Sequence, residues 1–402
     1  MDCAVRMLAK VGAFFLRPVR MKVIFLLLLG HGNNFIAQAL TSRSEIAALE
    51  AFKSSIKPSS IKPGSCLASW NFSIDPCSSP RRTYFTCGLT CSPDSTHINQ
   101  ITLDPVGYTG SLTPLISQLT NLVTLDLSEN SFSGPIPSSL YSLRNLQTLT
   151  LRSNSFSGSI PLAIRSLVSL QSLDLSHNSL SGSVPGSLIY LANLRTIDLS
   201  YNKLTGSIPI LPPNLSELAI KANSLSGPLQ KSTFERANNL AVLELSENRL
   251  YGKLEPWLFQ LPSLQQVDLA NNRFNGIEVW KPVNGRGSDL VAIDLGFNKI
   301  EGYAPVNLGA YPRLASLSIR DNLLSGKIPE EYGESKSLKR LFLDGNLLNG
   351  KPPAGLFVSG KIFAGSLGNN CLVGCPASSQ LCKPAQKSSS VCKKAYGGKP
   401  ST

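Results

Sequence analysis

The sequence predicts an α/β repeat solenoid: a curved array of short parallel strands with a disulfide-bonded cap at each end. Three observations carry this prediction. The pattern L-x-x-L-x-L-x-x-N-x-L-x-G-x-I-P recurs in about eleven units of the 402 residues, two groups of four cysteines flank these units, and an apolar segment precedes them. A fixed period of this length indicates stacked units, because one unit cannot bury its own apolar face.

Residues 1–39 are predicted to be a signal peptide. Basic residues from Arg6 to Lys22 precede the apolar run Val23 to Leu29, and a small-residue cleavage pattern ends at Ala39. A retained signal anchor is the alternative, but the run is far shorter than the ~20 apolar residues of a membrane-spanning helix. We therefore expect a secreted protein of the extracellular space or cell wall, without a membrane span.

Residues 40–97 are expected to form an N-terminal cap. Ser42 and Glu45 have the spacing of a helix-capping box, and Leu49 and Phe52 continue an apolar helical stripe. The cap contains four cysteines: Cys66, Cys77, Cys87 and Cys91. An even number in a secreted chain predicts disulfides, with three possible pairings per group. Zinc is the alternative ligand of four thiolates, but the group lacks paired C-x-x-C motifs.

Residues 98–360 contain the repeats. Their second apolar position falls at Ile101, Leu125, Leu149, Leu173, Ile197, Leu218, Leu243, Val267, Ile293, Leu317 and Leu341. Because strand side chains alternate, Leu125 and Leu127 are expected to point inward and Asp126 toward the concave face. An asparagine follows each strand and is expected to bond backbone groups of the neighbouring turn: Asn130, Asn154, Asn178, Asn202, Asn223, Asn248, Asn272, Asn298, Asn322 and Asn346.

Residues 361–392 are expected to form a second cap, followed by a flexible basic tail at 393–402. This cap contains the second cysteine group: Cys371, Cys375, Cys382 and Cys392. Its physical task is to cover the open core of the last repeat.

The L-x-G-x-I-P ending resembles the plant-specific class of extracellular leucine-rich repeats. The cap with Trp70 and its cysteines is similar to that of plant receptor ectodomains and polygalacturonase-inhibiting proteins, and the resemblance covers about residues 42–392. It implies a receptor-like protein without a kinase. The sixth to eighth units depart from the pattern by losing the I-P pair, so we expect an irregular convex side there.

The central column of the concave face is rich in carboxylates. Its expected ligand-binding members are Asp174, Asp198, Glu244, Asp268 and Asp294. Like charges on strands about 4.8 Å apart repel each other. The column is therefore either hydrated and compensated within the protein, or offset by a basic peptide or protein loop.

A second cluster is expected in the last three repeats, where Phe297, Arg320, Arg340 and Phe342 face the groove. Aromatic and arginine side chains are frequent anchors of binding energy. The alternative interpretation is that the phenylalanines lean on the C-terminal cap.

No catalytic constellation is evident, so the chain is not expected to be an enzyme. The three histidines have no paired base or metal ligand at helical spacing, and neither a P-loop nor a kinase signature is present. No cofactor and no metal site are expected.

Charge and sequons add two expectations. Removing residues 1–39 leaves 33 Lys/Arg and 24 Asp/Glu, a net charge of +9, which favours weak contact with anionic pectin and leaves nucleic acid a poor partner outside the cell. The sequons at Asn71 and Asn214 predict glycosylation of an exported chain.

Two functions remain from the sequence. The first is a secreted recognition protein that binds a protein or peptide in the plant cell wall space and acts in signalling or defence, with a membrane receptor kinase as partner. The second is an inhibitor of a microbial hydrolase such as polygalacturonase. A wall protein that merely adheres to pectin is a third, supported by charge alone.

Overall fold

The protein is described by a computed structural model, which covers residues 41–78, 88–282, 288–376 and 378–397. The predicted signal peptide, Cys87 and the end of the predicted tail lie outside these residues. No helix in the described part of the chain is long and apolar enough to cross a bilayer.

The N-terminal cap begins with the helix Arg43–Ser54, which buries Leu49 and Phe52 against the first repeats. Ser42 caps it by accepting a hydrogen bond from the Glu45 backbone N–H (3.2 Å). The other half of the predicted capping box is wrong: the Glu45 carboxylate is buried and accepts from the Ile98 backbone N–H, 3.0 Å away, and contacts the His97 ring. The strand Ile98–Thr102 packs close enough to compete for this side chain, so Glu45 joins helix and sheet. Two short 3₁₀ helices follow, Pro58–Ser60 and Leu67–Ser69.

The concave sheet contains thirteen strands among the described residues. One antiparallel cap strand is followed by twelve parallel strands in chain order. They are Gly88–Cys91, Ile98–Thr102, Thr124–Asp126, Thr148–Thr150, Ser172–Asp174, Thr196–Asp198, Glu217–Ala219, Val242–Glu244, Gln266–Asp268, Ala292–Asp294, Ser316–Ser318, Arg340–Phe342 and Ala364–Ser366.

The sheet has this register because alternate residues must enter the core. Leu125, Leu149 and Leu173 stand side by side in the ladder and are at most 1% exposed, as the period-two pattern predicts. The predicted solenoid with a parallel concave sheet is confirmed.

The asparagine ladder is confirmed as well. The Asn178 side-chain amide donates to the carbonyls of Leu151, Leu175 and Ser176, and its oxygen accepts from the Phe156 N–H of the preceding unit. Asn370, in the cap, makes the same set of bonds and was not among the predicted members. With the strand Ala364–Ser366, it forms a twelfth, partial unit inside the predicted C-terminal cap.

Within the described ranges, two further sheets run along the flank of the repeats, one of eight strands and one of four. The first consists of Thr109–Gly110, Ser131–Pro135, Ser155–Ser159, Ser179–Ser183, Lys203–Gly206, Ser224–Gly227, Arg249–Leu254 and Arg273–Ile277; the second of Glu301–Tyr303, Leu323–Lys327, Leu347–Gly350 and Cys371–Leu372. The repeating glycine, as at Gly134 (φ 83°), adopts a left-handed conformation that allows the chain to turn.

The convex side consists of short helical turns. They are the 3₁₀ helices Pro114–Gln118, Ser138–Ser142, Leu162–Ser166, Gly186–Tyr190, Leu258–Gln260, Val306–Ala310 and Ala354–Phe357, and the α-helices Lys231–Phe234 and Glu330–Glu334. The 3₁₀ turn Gln380–Cys382 and the helix Ser389–Ala395 complete the C-terminal cap, and the latter extends into the segment expected as a tail.

Disulfide bonds close both caps, so the zinc alternative is wrong. Cys77 pairs with Cys91, Cys371 with Cys392, and Cys375 with Cys382. Cys66 is also disulfide-bonded.

Candidate binding groove

The strand register aligns the predicted acidic column. Asp174 stands beside Asp198 on adjacent strands, and farther along the sheet Glu244 stands beside Asp268, which in turn stands beside Asp294. Ala219 separates the first pair from the rest.

These carboxylates make local bonds that turn the chain away from the strand. Asp174, Asp198 and Asp294 each accept a hydrogen bond from the backbone N–H two residues later, at 2.8 to 3.0 Å. Asp268 accepts the equivalent bond from Ala270 at 3.1 Å. Each aspartate is therefore partly compensated within the protein, as the first interpretation of the column predicts.

Small residues open a groove around the far end of the column. Ala270, Ala292 and Ala364 line a depression of about 460 Å³, here called the C-terminal groove. Its lining includes seven of the predicted site residues: Glu244, Asp268, Asp294, Phe297, Arg320, Arg340 and Phe342. Asp174 and Asp198 lie on the same sheet but do not line it.

Arg320 lies between two aromatic rings on one wall of the groove. Its guanidinium carbon is 5.2 Å from the centre of the Phe297 ring and 6.0 Å from that of Phe342, within cation–π range. The aliphatic stem crosses Gly296, where an added Cβ would meet the Arg320 Cγ at 2.9 Å. Phe297 remains 45% exposed, which favours the groove-facing interpretation over one in which this ring leans on the cap.

Arg320 also meets two carboxylates, Asp321 and Asp344, each at 3.5 Å. Burial raises the pKa of Asp344, and the Arg320 charge only partly opposes this. Asp344 is a residue that sequence reasoning missed. The signal was its place two residues after the groove-facing Phe342, where most other units carry Ser, Ala or Gly.

Three buried polar atoms around the groove have no hydrogen-bond partner in the described structure: Ser318 Oγ, Arg320 Nε and Asp344 Oδ1. Leaving a buried polar atom unpaired costs about 1–3 kcal/mol. Such atoms at one place indicate a surface that gains from a polar partner.

A second cluster of side chains, His177, Tyr201 and Lys221, lies on the same face, outside the groove. The His177 ring stacks on Tyr201 at 4.1 Å, and Lys221 Nζ lies 5.4 Å from the Tyr201 ring. Burial disfavours the charge of Lys221, yet Tyr201 and Glu244 outweigh it and raise the pKa of this lysine. His177 and Tyr201 each directly precede a ladder asparagine, and this shared position is the sequence signal for their contact.

No metal centre is evident in the part of the chain that the structure describes, where no group of three or more His, Cys, Asp and Glu side chains could hold an ion.

Comparison with known proteins identifies the family. The description "Leucine rich repeat N-terminal domain" matches residues 42–79, and "Leucine rich repeat" matches residues 121–143, 144–204 and 213–274. The solved structure titled PEPR1-AtPEP1 is similar to this chain with a TM-score of 0.73 and 32% identity, over 82% of this chain and 46% of that one. The chain belongs to the plant leucine-rich-repeat family.

Curated relatives of this leucine-rich-repeat protein come from Arabidopsis thaliana. The calmodulin-binding receptor kinase CaMRLK is 36% identical over 26% of this chain and 16% of its own length. Receptor-like protein 7 is 31% identical over 23% of this chain and 9% of its own. The chain thus matches less than a fifth of the length of either relative.

Two other solved structures are similar to the repeat array. The ectodomain of the Arabidopsis thaliana receptor kinase GASSHO1/SCHENGEN3, in complex with CASPARIAN STRIP INTEGRITY FACTOR 2, has a TM-score of 0.63 and 27% identity over 82% of this chain and 44% of that one. A plant ice-binding protein has a TM-score of 0.60 and 26% identity over 84% of this chain and 99% of that one.

Proposed function

We propose that this leucine-rich-repeat protein binds a peptide or an extended protein segment in its C-terminal groove. The carrying observation is that aromatic rings, two arginines and an acidic floor meet in one depression of the concave sheet. Aromatic and arginine side chains supply much of the energy of protein interfaces. The complexes PEPR1-AtPEP1 and GASSHO1/SCHENGEN3 with CASPARIAN STRIP INTEGRITY FACTOR 2 support this class of partner.

We place this binding in the plant extracellular space or cell wall, in signalling or defence, without catalysis by the chain itself. The predicted signal peptide, the two disulfide-bonded caps and the relatives support secretion. Asn71 and Asn214 are exposed, as glycan acceptors must be. The net charge of +9 predicted after removal of residues 1–39 favours weak, salt-sensitive contact with pectin.

The test uses the full secreted chain and the double substitution Arg340→Ala with Phe342→Ala. A panel of plant secreted peptides and receptor ectodomains is screened with the wild type, and each positive is measured again with the variant. We expect binding to weaken at least about tenfold, since each truncated anchor is worth roughly 1 kcal/mol or more. Arg152→Ala, at an equivalent turn outside the groove, is the control and should bind as the wild type does.

Melting temperatures separate binding from folding. A large loss of stability in the double variant would support the cap-packing interpretation of Phe342 instead. Unchanged binding in a stably folded variant would refute the groove as the binding surface.

A microbial wall-degrading hydrolase is the other partner class that suits an acidic and aromatic groove on a basic protein. Incubation with fungal pectinases tests it directly. Residual enzyme activity should fall in proportion to added protein if the groove blocks an active-site cleft. Full activity at micromolar protein would remove this class and leave plant peptides and receptors.

A second candidate function, binding to ice, rests on a different surface. In the flank sheet, residues 131–135, 155–159, 179–183, 203–206 and 224–227 form a hydroxyl sheet, with serine or threonine at most outward positions and Lys203 as its one charge. Ser133 pairs with Ser155, and Ser157 with Ser179, so the hydroxyls repeat at the strand spacing of about 4.8 Å. Regular neutral hydroxyls can order water, and the similarity to a plant ice-binding protein supports this candidate.

Inhibition of ice recrystallisation tests the second candidate. The double substitution Ser157→Lys with Ser181→Lys places charges in the middle of the hydroxyl sheet and should abolish activity. Asp174→Lys on the concave face should leave it intact. Ice growth unaffected by the wild-type protein would refute the candidate.

A further inference from the structure

We infer that the C-terminal groove has a subsite for one lysine or arginine side chain of its partner, formed by Asp268, Asp294 and Ser318. This inference rests on the proposed peptide-binding function. The three residues stand in register on adjacent strands, so their side chains form one row across the groove floor. At a strand spacing of about 4.8 Å, this row is within reach of one multi-donor head group.

The row has unused acceptor capacity. Asp294 accepts the Gly296 N–H through Oδ1, and its Oδ2 has no hydrogen-bond donor among the described residues. Ser318 is 6% exposed, and its Oγ has no hydrogen-bond partner there. Asp294 Oδ1 and Ser318 Oγ lie 3.1 and 3.4 Å from the position that a Cβ on Gly296 would take, so both oxygens border the same space, next to the Arg320 stem. An ammonium or guanidinium group would satisfy both.

The charge of the row is only partly compensated. Asp268 accepts hydrogen bonds from the Ala270 N–H and, at 2.6 Å, from Ser246 Oγ, and the charge of Lys221 also favours its ionised form. No ion pair within 4 Å in the described part of the chain includes Asp268 or Asp294. Burial, with repulsion from Asp294, raises the pKa of Asp268. A cation bound between the two carboxylates would relieve this repulsion.

The neighbouring cations leave room for such a ligand. Arg320 lies beside two rings and next to Asp321 and Asp344, so its charge is partly offset. Arg340 stands two strands beyond Asp294 along the sheet. The groove is thus negative near Asp268 and positive near Arg340, which favours a peptide with a basic residue at one end and a neutral or acidic one at the other.

The test titrates N-acetyl-arginine amide and N-acetyl-citrulline amide into the full chain by NMR. Citrulline keeps the shape of arginine without its charge. We expect the arginine probe to bind with millimolar affinity and the citrulline probe about tenfold more weakly or not at all, since a charge-assisted hydrogen bond contributes roughly 1.5–3 kcal/mol. Equal binding of the two probes, or no binding of either, would overturn the subsite.

The variant Asp294→Asn should bind the arginine probe about tenfold more weakly than the wild type does. The amide oxygen can still accept the Gly296 N–H, so the turn is retained. Asp198→Asn, in the same column outside the groove, is the matched control and should change the affinity less than about twofold. Equal losses in the two variants would indicate general electrostatic attraction and overturn the subsite.

The experiments distinguish failure of the proposed groove function from failure of the proposed cation subsite. A partner lost through Arg340→Ala with Phe342→Ala, combined with no arginine binding, refutes the subsite alone. A partner retained by that double variant refutes the groove function, while the titrations still decide whether the row binds a cation.

Discussion

The acidic column differs between its two ends although its residues look alike. At Asp174 and Asp198, the carboxylate accepts the N–H two residues later, and a serine occupies that position. At Asp294 the same bond is made to Gly296, and a groove lined by the small residues Ala270, Ala292 and Ala364 opens beside it. A repeated aspartate can therefore stabilise the turn in each unit that carries it, and be available for binding only where the neighbouring residues are small.

The largest expected effect is common to both ends. Asn178→Ala and Asn298→Ala should each lower the free energy of unfolding by roughly 2–4 kcal/mol, because each amide bonds several buried backbone groups. Guanidinium unfolding followed by circular dichroism measures this. Asn145→Ala, which removes one exposed side-chain bond, is the control and should cost less. Unequal losses at Asn178 and Asn298 would mean that the scaffold itself differs between the two ends.

A larger side chain in the C-terminal groove should impair binding, whereas the same side chain at the other end of the acidic column should not. Ala292→Gln introduces the residue found at the register-equivalent Gln266, so the strand should accept it. Partner binding should weaken about tenfold, a loss of ~1.4 kcal/mol, with little change in melting temperature. Ser172→Gln makes a similar change at the acidic end outside the groove. Binding that is impaired equally by both variants would contradict a localised site.

A smaller effect concerns pH. Burial and the nearby Asp294 raise the pKa of Asp268 above its ordinary 3.8, so the folded state holds this proton more tightly than the unfolded chain. The associated stability is present below the unfolded pKa and is lost as pH rises through the folded pKa. Asp268→Asn should therefore raise the melting temperature near pH 7, but not near about pH 3, where both states are protonated.

The control for this prediction is Asp174→Asn, which removes one charge from the column outside the groove. Thermal unfolding of both variants across this pH range measures the difference. An equal gain from the two variants would point to net charge rather than to the environment of Asp268.

The smallest effect is at Phe297, which holds a left-handed backbone conformation (φ 56°) that suits asparagine better than phenylalanine. Phe297→Asn should stabilise the fold by about 0.5 kcal/mol, and weaken partner binding by removing one ring beside Arg320. Asn271, with φ 54° in the preceding unit, is the natural precedent. Chemical denaturation and partner affinity measure the two outcomes, and a loss of stability would show that the Arg320 contact outweighs the backbone strain.

Much of the fold could be predicted because the period determines which residues enter the core and which strands adjoin. The proximity of Phe297, Arg320 and Phe342 follows from that register alone. The groove could not be predicted, since it depends on the small size of Ala270, Ala292 and Ala364, and small residues are common in such a repeat pattern. Whether these residues bind a partner stays a prediction.

Two other misses have physical causes. Glu45 has capping-box spacing, but its buried carboxylate instead accepts a hydrogen bond from the Ile98 N–H, at the start of the strand Ile98–Thr102. Asn370 continues the ladder 24 residues after Asn346, but the adjacent Cys371 led to its assignment to the cap alone.

The strand register of the groove also sets the length of the peptide that can lie across it. Three strand steps separate Asp268 from Phe342, a distance of about 14 Å at 4.8 Å per step. An extended chain advances roughly 3.3–3.6 Å per residue, so about four residues span the floor. The strand spacing of the sheet and the rise per residue of an extended peptide are not multiples of each other, so successive residues of a bound peptide would contact different rows of side chains. The groove is thus suited to bind one short peptide segment of fixed length. A peptide that repeats this segment in tandem would not bind more tightly because the sheet is regular.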